Sequence, residues 1–180
     1  MSTQRPPTID PAAARRWAGL SVSPTQQPPG FASPWLHEEV ARRMEDRLQW
    51  LVQKPAHWAH WEPVRGGWEA QELLQKRYPR ARVSLIEADP ARAALLRRAV
   101  AAPWWKPLAR AAGMVRVESP QQPVGMLWAN MALHSTDDPQ ALMAQWLQLL
   151  DVDGFLMFSC LGPDTLRELR AVYAAQAWPP

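Results

Sequence analysis

Glu87 closes the apolar run at residues 82–87 (RVSLIE), two positions ahead of Asp89-Pro90. A carboxylate at the end of a strand can accept two hydrogen bonds from the vicinal hydroxyls of a ribose, as acids do in dinucleotide sites. Upstream, Arg65-Gly66-Gly67 separates a tryptophan-rich strand candidate at residues 57–64 from a helix that starts at Trp68, giving strand, glycine turn and helix in that order. His57 and His60 stand three apart in the same segment with no cysteine or carboxylate pattern beside them, so no metal site is expected. Cys160, the only cysteine, falls in the apolar run at residues 155–161 and is expected to be a buried, inert thiol.

The elements that must position these groups follow from spacing and caps. Ser33-Pro34 opens a helix predicted over residues 35–54, with Leu36, Val40, Met44, Leu48 and Leu51 on one face. After the helix at residues 68–78 and the strand at 82–87, Asp89 caps a helix through Leu95, Leu96 and Val100. Pro103, Trp104, Trp105, Lys106 and Pro107 break the chain. Short strands are predicted at 113–118 and 124–130, with a tight connection at 119–123. A helix at 139–150, capped by Asp137 or Asp138, turns through Asp151-Val152-Asp153-Gly154 into a strand at 155–161, and Gly162-Pro163-Asp164 leads into a last helix at 165–175. Strands alternating with helices predict an α/β fold with a doubly wound, mainly parallel sheet and a site at the carboxyl ends of its strands.

Composition narrows the classes of function. In 180 residues with 47% apolar and 21% charged content there is room for one domain with a real core. The net charge is only +3 and the basic residues alternate with acids, so nucleic acid is not implied. The start lacks the apolar core of a secretory signal, no run reaches the roughly 20 apolar residues that span a bilayer, and a single cysteine gives no intrachain disulfide framework; a reducing cytoplasm is expected. Seven of the nineteen prolines fall within the first 34 residues, which predicts a flexible arm over residues 1–33 ahead of a domain over 34–180. The eleven tryptophans lie mostly in or beside predicted elements, as core packing requires.

The order of elements and several strings resemble the class I S-adenosylmethionine (SAM)-dependent methyltransferases, and among them the malonyl-acyl-carrier-protein O-methyltransferases of biotin synthesis. The string FSCLGPDTLRELR at 158–170 is similar to that family's turn and helix after the fifth strand. Asn130-Met131-Ala132-Leu133-His134 with Asp137-Asp138-Pro139 resembles its fourth-strand exit, and Arg77-Tyr78-Pro79 with Leu85-Ile86-Glu87 its second strand. The likeness runs over residues 34–178. The threonine-leucine-x-glutamate-leucine-arginine part is also similar to a methyltransferase-like assembly factor of respiratory complex I. The resemblance implies a Rossmann-like fold with an antiparallel strand pair after the fifth helix, which has no counterpart here, so the domain is expected to be incomplete, with its C-terminal strands missing.

What the resemblance implies for the site starts from the family's acid-x-Gly-x-Gly-x-Gly turn, where backbone must approach the cofactor's methionine part unobstructed. In register with Tyr78-Pro79, Glu62 takes the acid position and Gly66 the second glycine, while Val64 and Trp68 stand where the family has glycine. A valine in a left-handed conformation would cost about 1–2 kcal/mol, so the turn is expected to have changed shape, with Trp68 a candidate to fill the pocket. Glu87 is implied as the ribose acid, Glu118 with Ser119 as the adenine contact, and Asn130 as a side chain lining the cofactor face; Gly125 replaces the family's fourth-strand aspartate. No catalytic residue is assigned, and His134 is either a substrate contact or a loop cap. The implied activity is methylation of malonyl-acyl carrier protein, with Arg167 and Arg170 available to an acidic carrier protein. The departures at Val64, Trp68 and Gly125 keep open an alternative, a catalytically inactive binding or assembly protein.

Overall fold

Asp10 opens the first helix, α1 (Pro11–Ala18): its side chain accepts from the N–H groups of Ala12 and Ala13, and Pro11 sits at the first helical position, where its missing N–H costs nothing. The computed structural model describes residues 9–20, 23–25, 29–101 and 115–178. The proline-rich start is therefore not devoid of regular structure; besides α1 it holds a short antiparallel pair, β1 (Ser23–Pro24) with β2 (Phe31–Ala32). Next comes α2 (Trp35–Arg47), followed by a single 3-10 turn, Leu48–Trp50. The helix is shorter than its apolar spacing predicts because Trp50, Leu51 and Val52 find no packing surface and are left exposed.

Beyond it lie β3 (His57–Trp61), α3 (Pro63–Gly66), α4 (Trp68–Arg77), β4 (Arg82–Ile86), α5 (Pro90–Val100), β5 (Val115–Arg116), β6 (Val124–Ala129), α6 (Pro139–Leu149), β7 (Leu150–Phe158) and α7 (Arg167–Ala175). Strands β3 to β7 pair in parallel in the order β5-β4-β3-β6-β7. The chain starts in the middle of the sheet, winds to one edge and returns to wind to the other, so the strand order reverses between β3 and β6, the place where such sheets bind ligands. The doubly wound parallel fold expected from the sequence is present.

Alternation along β3 and β6 splits the core in two. Trp58, Met126 and Trp128 face Met44, Leu74 and Leu96 from α2, α4 and α5, while Ala59, Trp61 and Leu127 face Trp146 from α6. Trp58, Trp128 and Trp146 are wholly buried, which accounts for much of the tryptophan content as packing. Asp89 and Asp138 cap α5 and α6, accepting from Arg92 N and Ala141 N.

Boundaries towards the end of the chain also differ from expectation. The Asp151–Gly154 stretch read as a turn lies inside β7, because Leu150 already pairs with Val124 and the register then shifts. Gly154 makes that shift possible: a Cβ there would lie 2.9 Å from the carbonyl oxygens of both Asp151 and Val124. The last helix starts two residues later than predicted, after Leu166 in a left-handed conformation. The predicted break at 103–107 and the first residues of the strand at 113–118 lie outside the described residues. No helix among the described residues is long and apolar enough to cross a membrane.

Candidate functional site

The carboxyl ends of β3, β4 and β5 border a cleft of about 190 Å³ whose walls include Trp61, Glu62, Glu87, Glu118 and Ser119. Three of the sequence candidates, the glutamates, therefore meet at one site. Glu62 follows β3 with φ 47° and donates its N–H to Ile86 O at 2.8 Å, which fixes it between the ends of β3 and β4. Burial pushes its carboxyl above the usual range, against the pull of Arg92 and Arg65. Glu118 lies on the outer rim, half exposed and 3.5 Å from Arg116 Nη1.

Glu87 is the most constrained of the three. Its side chain is fully buried, and Oε1 accepts from Arg92 Nε at 3.0 Å and from Asp89 N at 3.2 Å. Its Oε2 is buried with no hydrogen-bond partner among the described residues. Burial raises the carboxyl's pKa, with Arg92 opposing. An orphaned carboxylate oxygen is costly unless something donates to it, and a ligand hydroxyl entering the cleft would do so.

Gly66 and Asn130 are drawn into the protein rather than towards the cleft. Asn130 Nδ2 donates to His37 O at 2.8 Å and to Gly66 O, and Oδ1 accepts from Ser159 Oγ at 2.5 Å. With both ends of its amide engaged, Asn130 ties the glycine turn to the start of α2 and is not among the residues that line this cleft. A Cβ on Gly66 would meet Asn130 O at 3.2 Å, so a larger residue here would press on the backbone at the end of β6.

The turn has changed shape as its residues demand. Val64 is not left-handed; it sits buried in the single turn α3, and Glu62 and Gly67 (φ 112°) carry the positive φ values instead. Trp68 does not fill the cleft; its ring packs edge-on against Phe31, with centroids 5.5 Å apart. Gly125 is at the amino end of β6 beside Pro55, the opposite end of the strand from the site.

Residues that no sequence signal marked complete the site. Ser33, expected to cap α2, instead donates to Val64 O at 2.9 Å and accepts from Trp68 N at 3.0 Å; Pro34 takes the cap position of α2. Glu38 accepts from Trp68 N and Glu69 N at 2.8 and 3.1 Å, and His37 Nδ1 donates to Arg65 O at 2.7 Å. These are contacts between segments some thirty residues apart, invisible to local pattern. Arg92 alone had a local clue, its place in the first turn after the Asp89 cap.

The remaining candidates lie apart from the cleft. His57 bonds Ser84 Oγ and His60 donates to Gln71 Oε1, each at 3.0 Å and on opposite faces of β3, so they cannot share a ligand. No group of three or more metal-ligating side chains occurs among the described residues. His134 is half-buried in a 3-10 turn after β6, with its pKa lowered by burial and by His37. Cys160 is exposed, contrary to expectation, because β7 ends at Phe158 before reaching it.

With this geometry in hand, the comparisons with known proteins are specific. No protein-family model matches the chain. The malonyl-[acyl-carrier protein] O-methyltransferase of Laribacter hongkongensis is 34% identical over 146 residues, covering 77% of this chain and 48% of that protein. The enzyme of the same name from Gallionella capsiferriformans is 33% identical over 150 residues, covering 79% and 50%. The chain is a homologue of these methyltransferases. It spans about half the length of the curated relatives it matches. Among solved structures, the plantazolicin methyltransferase BpumL in complex with SAH aligns with a TM-score of 0.51 at 11% identity, covering 74% of this chain and 49% of that one. The same enzyme with a pentazolic desmethylPZN analog and SAH gives 0.53 at 11% identity, covering 75% and 51%. At such identity the likeness speaks for the fold, which is that of the Rossmann-like methyltransferases.

Proposed function

We propose that this chain is the cofactor-binding part of a SAM-dependent methyltransferase that esterifies the free carboxylate of a malonyl group carried on acyl carrier protein, as a step in biotin synthesis. The observation that carries the reading is Glu87 Oε2, a buried acceptor without a donor among the described residues, at the end of β4 in a cleft shared with Glu62 and Glu118. Glu87 would hold the ribose hydroxyls, Glu118 and Ser119 the adenine rim, and Glu62 the side facing the methionine part.

Bound there, the cofactor supplies an electrophilic methyl group. A carboxylate acceptor would bring its own lone pair to that methyl group. No proton moves, and no side chain need act as a base; the protein's contribution is alignment and exclusion of water. Arg167 and Arg170 lie on the exposed helix α7, where an acidic carrier protein could reach them.

One observation favours the alternative of binding without catalysis: the first N–H groups of α4 are already taken by Glu38 and Ser33. Incubating the protein with methyl-labelled SAM and malonyl-acyl carrier protein separates the two. Label appearing as a base-labile methyl ester on the carrier protein is the expected result. Cofactor binding without transfer to any carboxylate acceptor would favour the non-catalytic reading.

A further inference from the structure

The cleft does not end at Glu62. A second recess of about 250 Å³, lined in part by Arg15, Trp17, Arg65 and Thr136, shares Trp61 and Glu62 with the first as a common wall. A ligand whose ribose meets Glu87 and whose amino-acid end passes Glu62 would place an ammonium and a carboxylate there, and the two need opposite charges close together.

The usual receptor for such a carboxylate is the start of the helix after the first strand, whose free N–H groups and dipole attract anions. In this chain that place is spent. Trp68 N and Glu69 N both donate to the Glu38 carboxylate, and Trp68 N is shared with Ser33 Oγ. A second carboxylate would find these first two N–H groups taken and would be repelled by the Glu38 carboxylate.

Of the two cations that line the recess, Arg15 and Arg65, it is Arg65 that lies one helical turn from Glu62, with its N–H donating to Glu62 O at 3.1 Å. Its Nη2 donates to Leu20 O at 3.0 Å and to Trp17 O, and its guanidinium carbon lies 5.4 Å over the Trp17 ring. Helix α1 thus aims the guanidinium, while Nε and Nη1 make no hydrogen bond among the described residues. Burial lowers the pKa of this guanidinium, with Arg92 acting in the same direction, and Glu62 acts against both. A group so desolvated gains from an anionic partner.

We propose that Arg65 replaces the helix start as the receptor for the carboxylate of the cofactor's methionine part, with Glu62 opposite the ammonium. The assignment rests on the cofactor reading above and deepens it. It predicts discrimination between S-adenosylhomocysteine and methylthioadenosine, which shares the adenosine and sulfur but lacks the amino-acid end.

Calorimetric titration of the protein with both ligands, as wild type, Arg65→Leu and Arg65→Lys, tests this. The expected result is that Arg65→Leu weakens S-adenosylhomocysteine by on the order of 10- to 100-fold, the worth of a charge-assisted hydrogen bond, while methylthioadenosine binding stays the same. Arg65→Lys should recover part of the loss. Equal weakening of both ligands would show that Arg65 only anchors α1 and would overturn the assignment. Unchanged S-adenosylhomocysteine binding with a raised KM for the methyl acceptor would overturn it too, by giving the guanidinium to the acceptor. In both cases the cofactor reading survives, whereas binding of neither ligand by the wild type would contradict assignment and reading together.

Discussion

The carboxylate of Glu87 is held by a buried pairing with Arg92 that leaves one oxygen without a partner among the described residues. A different buried group, His60, shows what the same environment does to a residue with no ligand role. It lies wholly inside the first core, its Nδ1 on Gln71 and its Nε2 without a partner among the described residues, and burial pushes its pKa down from 6.5 to about 4. A histidine whose folded pKa lies below its unfolded value contributes stability above the unfolded pKa. That contribution is lost as pH falls from 6.5 towards 4, where the unfolded chain binds the proton that the fold refuses. The loss is on the order of 3 kcal/mol over this window. His60→Leu should remove it: in urea titrations at the two ends of the window, the wild type should lose more stability on acidification than the variant, by about that amount. Parallel losses in the two proteins would show that His60 titrates as freely folded as unfolded.

The start of α2 is the element that shapes the site without touching a ligand. Ser33, His37 and Glu38 run along the turn between β3 and α4, and Asn130 bonds both partners from the end of β6. Glu38 acts as the cap that α4 lacks locally, since Gly67 before it has no side chain. Glu38→Ala should therefore cost about 1–2 kcal/mol, as for loss of a helix cap, in chemical denaturation. Its neighbour Glu39 only pairs on the surface with Arg42 and Arg43, so Glu39→Ala should leave the denaturation midpoint close to that of wild type. Equal effects would deny the capping role. These contacts also mark where sequence reasoning runs out. Helices α4, α5 and α6 and strands β4 and β6 were legible to within a residue or so, because Asp89, Asp138 and the apolar spacing are local signals. Glu62, Glu87 and Glu118 were legible as a set through family register. The destinations of Ser33 and Asn130 were not, because their partners lie far off in sequence and outcompete the local cap or the cleft. The bulge at Gly154 was hidden because Asp-Val-Asp-Gly has turn chemistry, and only the ladder with β6 makes it strand.

At the scale of the whole molecule, one sheet does two jobs. Its centre, β3 and β6, is packed by tryptophans on both faces, and the carboxyl ends of β3, β4 and β5 carry the acids of the cleft. Its β7 edge is less finished: Val152 is exposed there, and no residue of α7 is buried, so Leu166, Leu169 and Val172 lie open. An open strand edge beside apolar surface favours association with another chain. None of this reaches the cleft, which sits at the ends of strands on the far half of the sheet. Binding of a SAM-type cofactor in this cleft through Glu87 can be measured by calorimetry with S-adenosylhomocysteine on wild type and Glu87→Ala. The expected result is dissociation in the micromolar range, roughly −8 kcal/mol, for the wild type, and at least about tenfold weaker binding for the variant. No binding by the wild type, or equal binding by both, would contradict it.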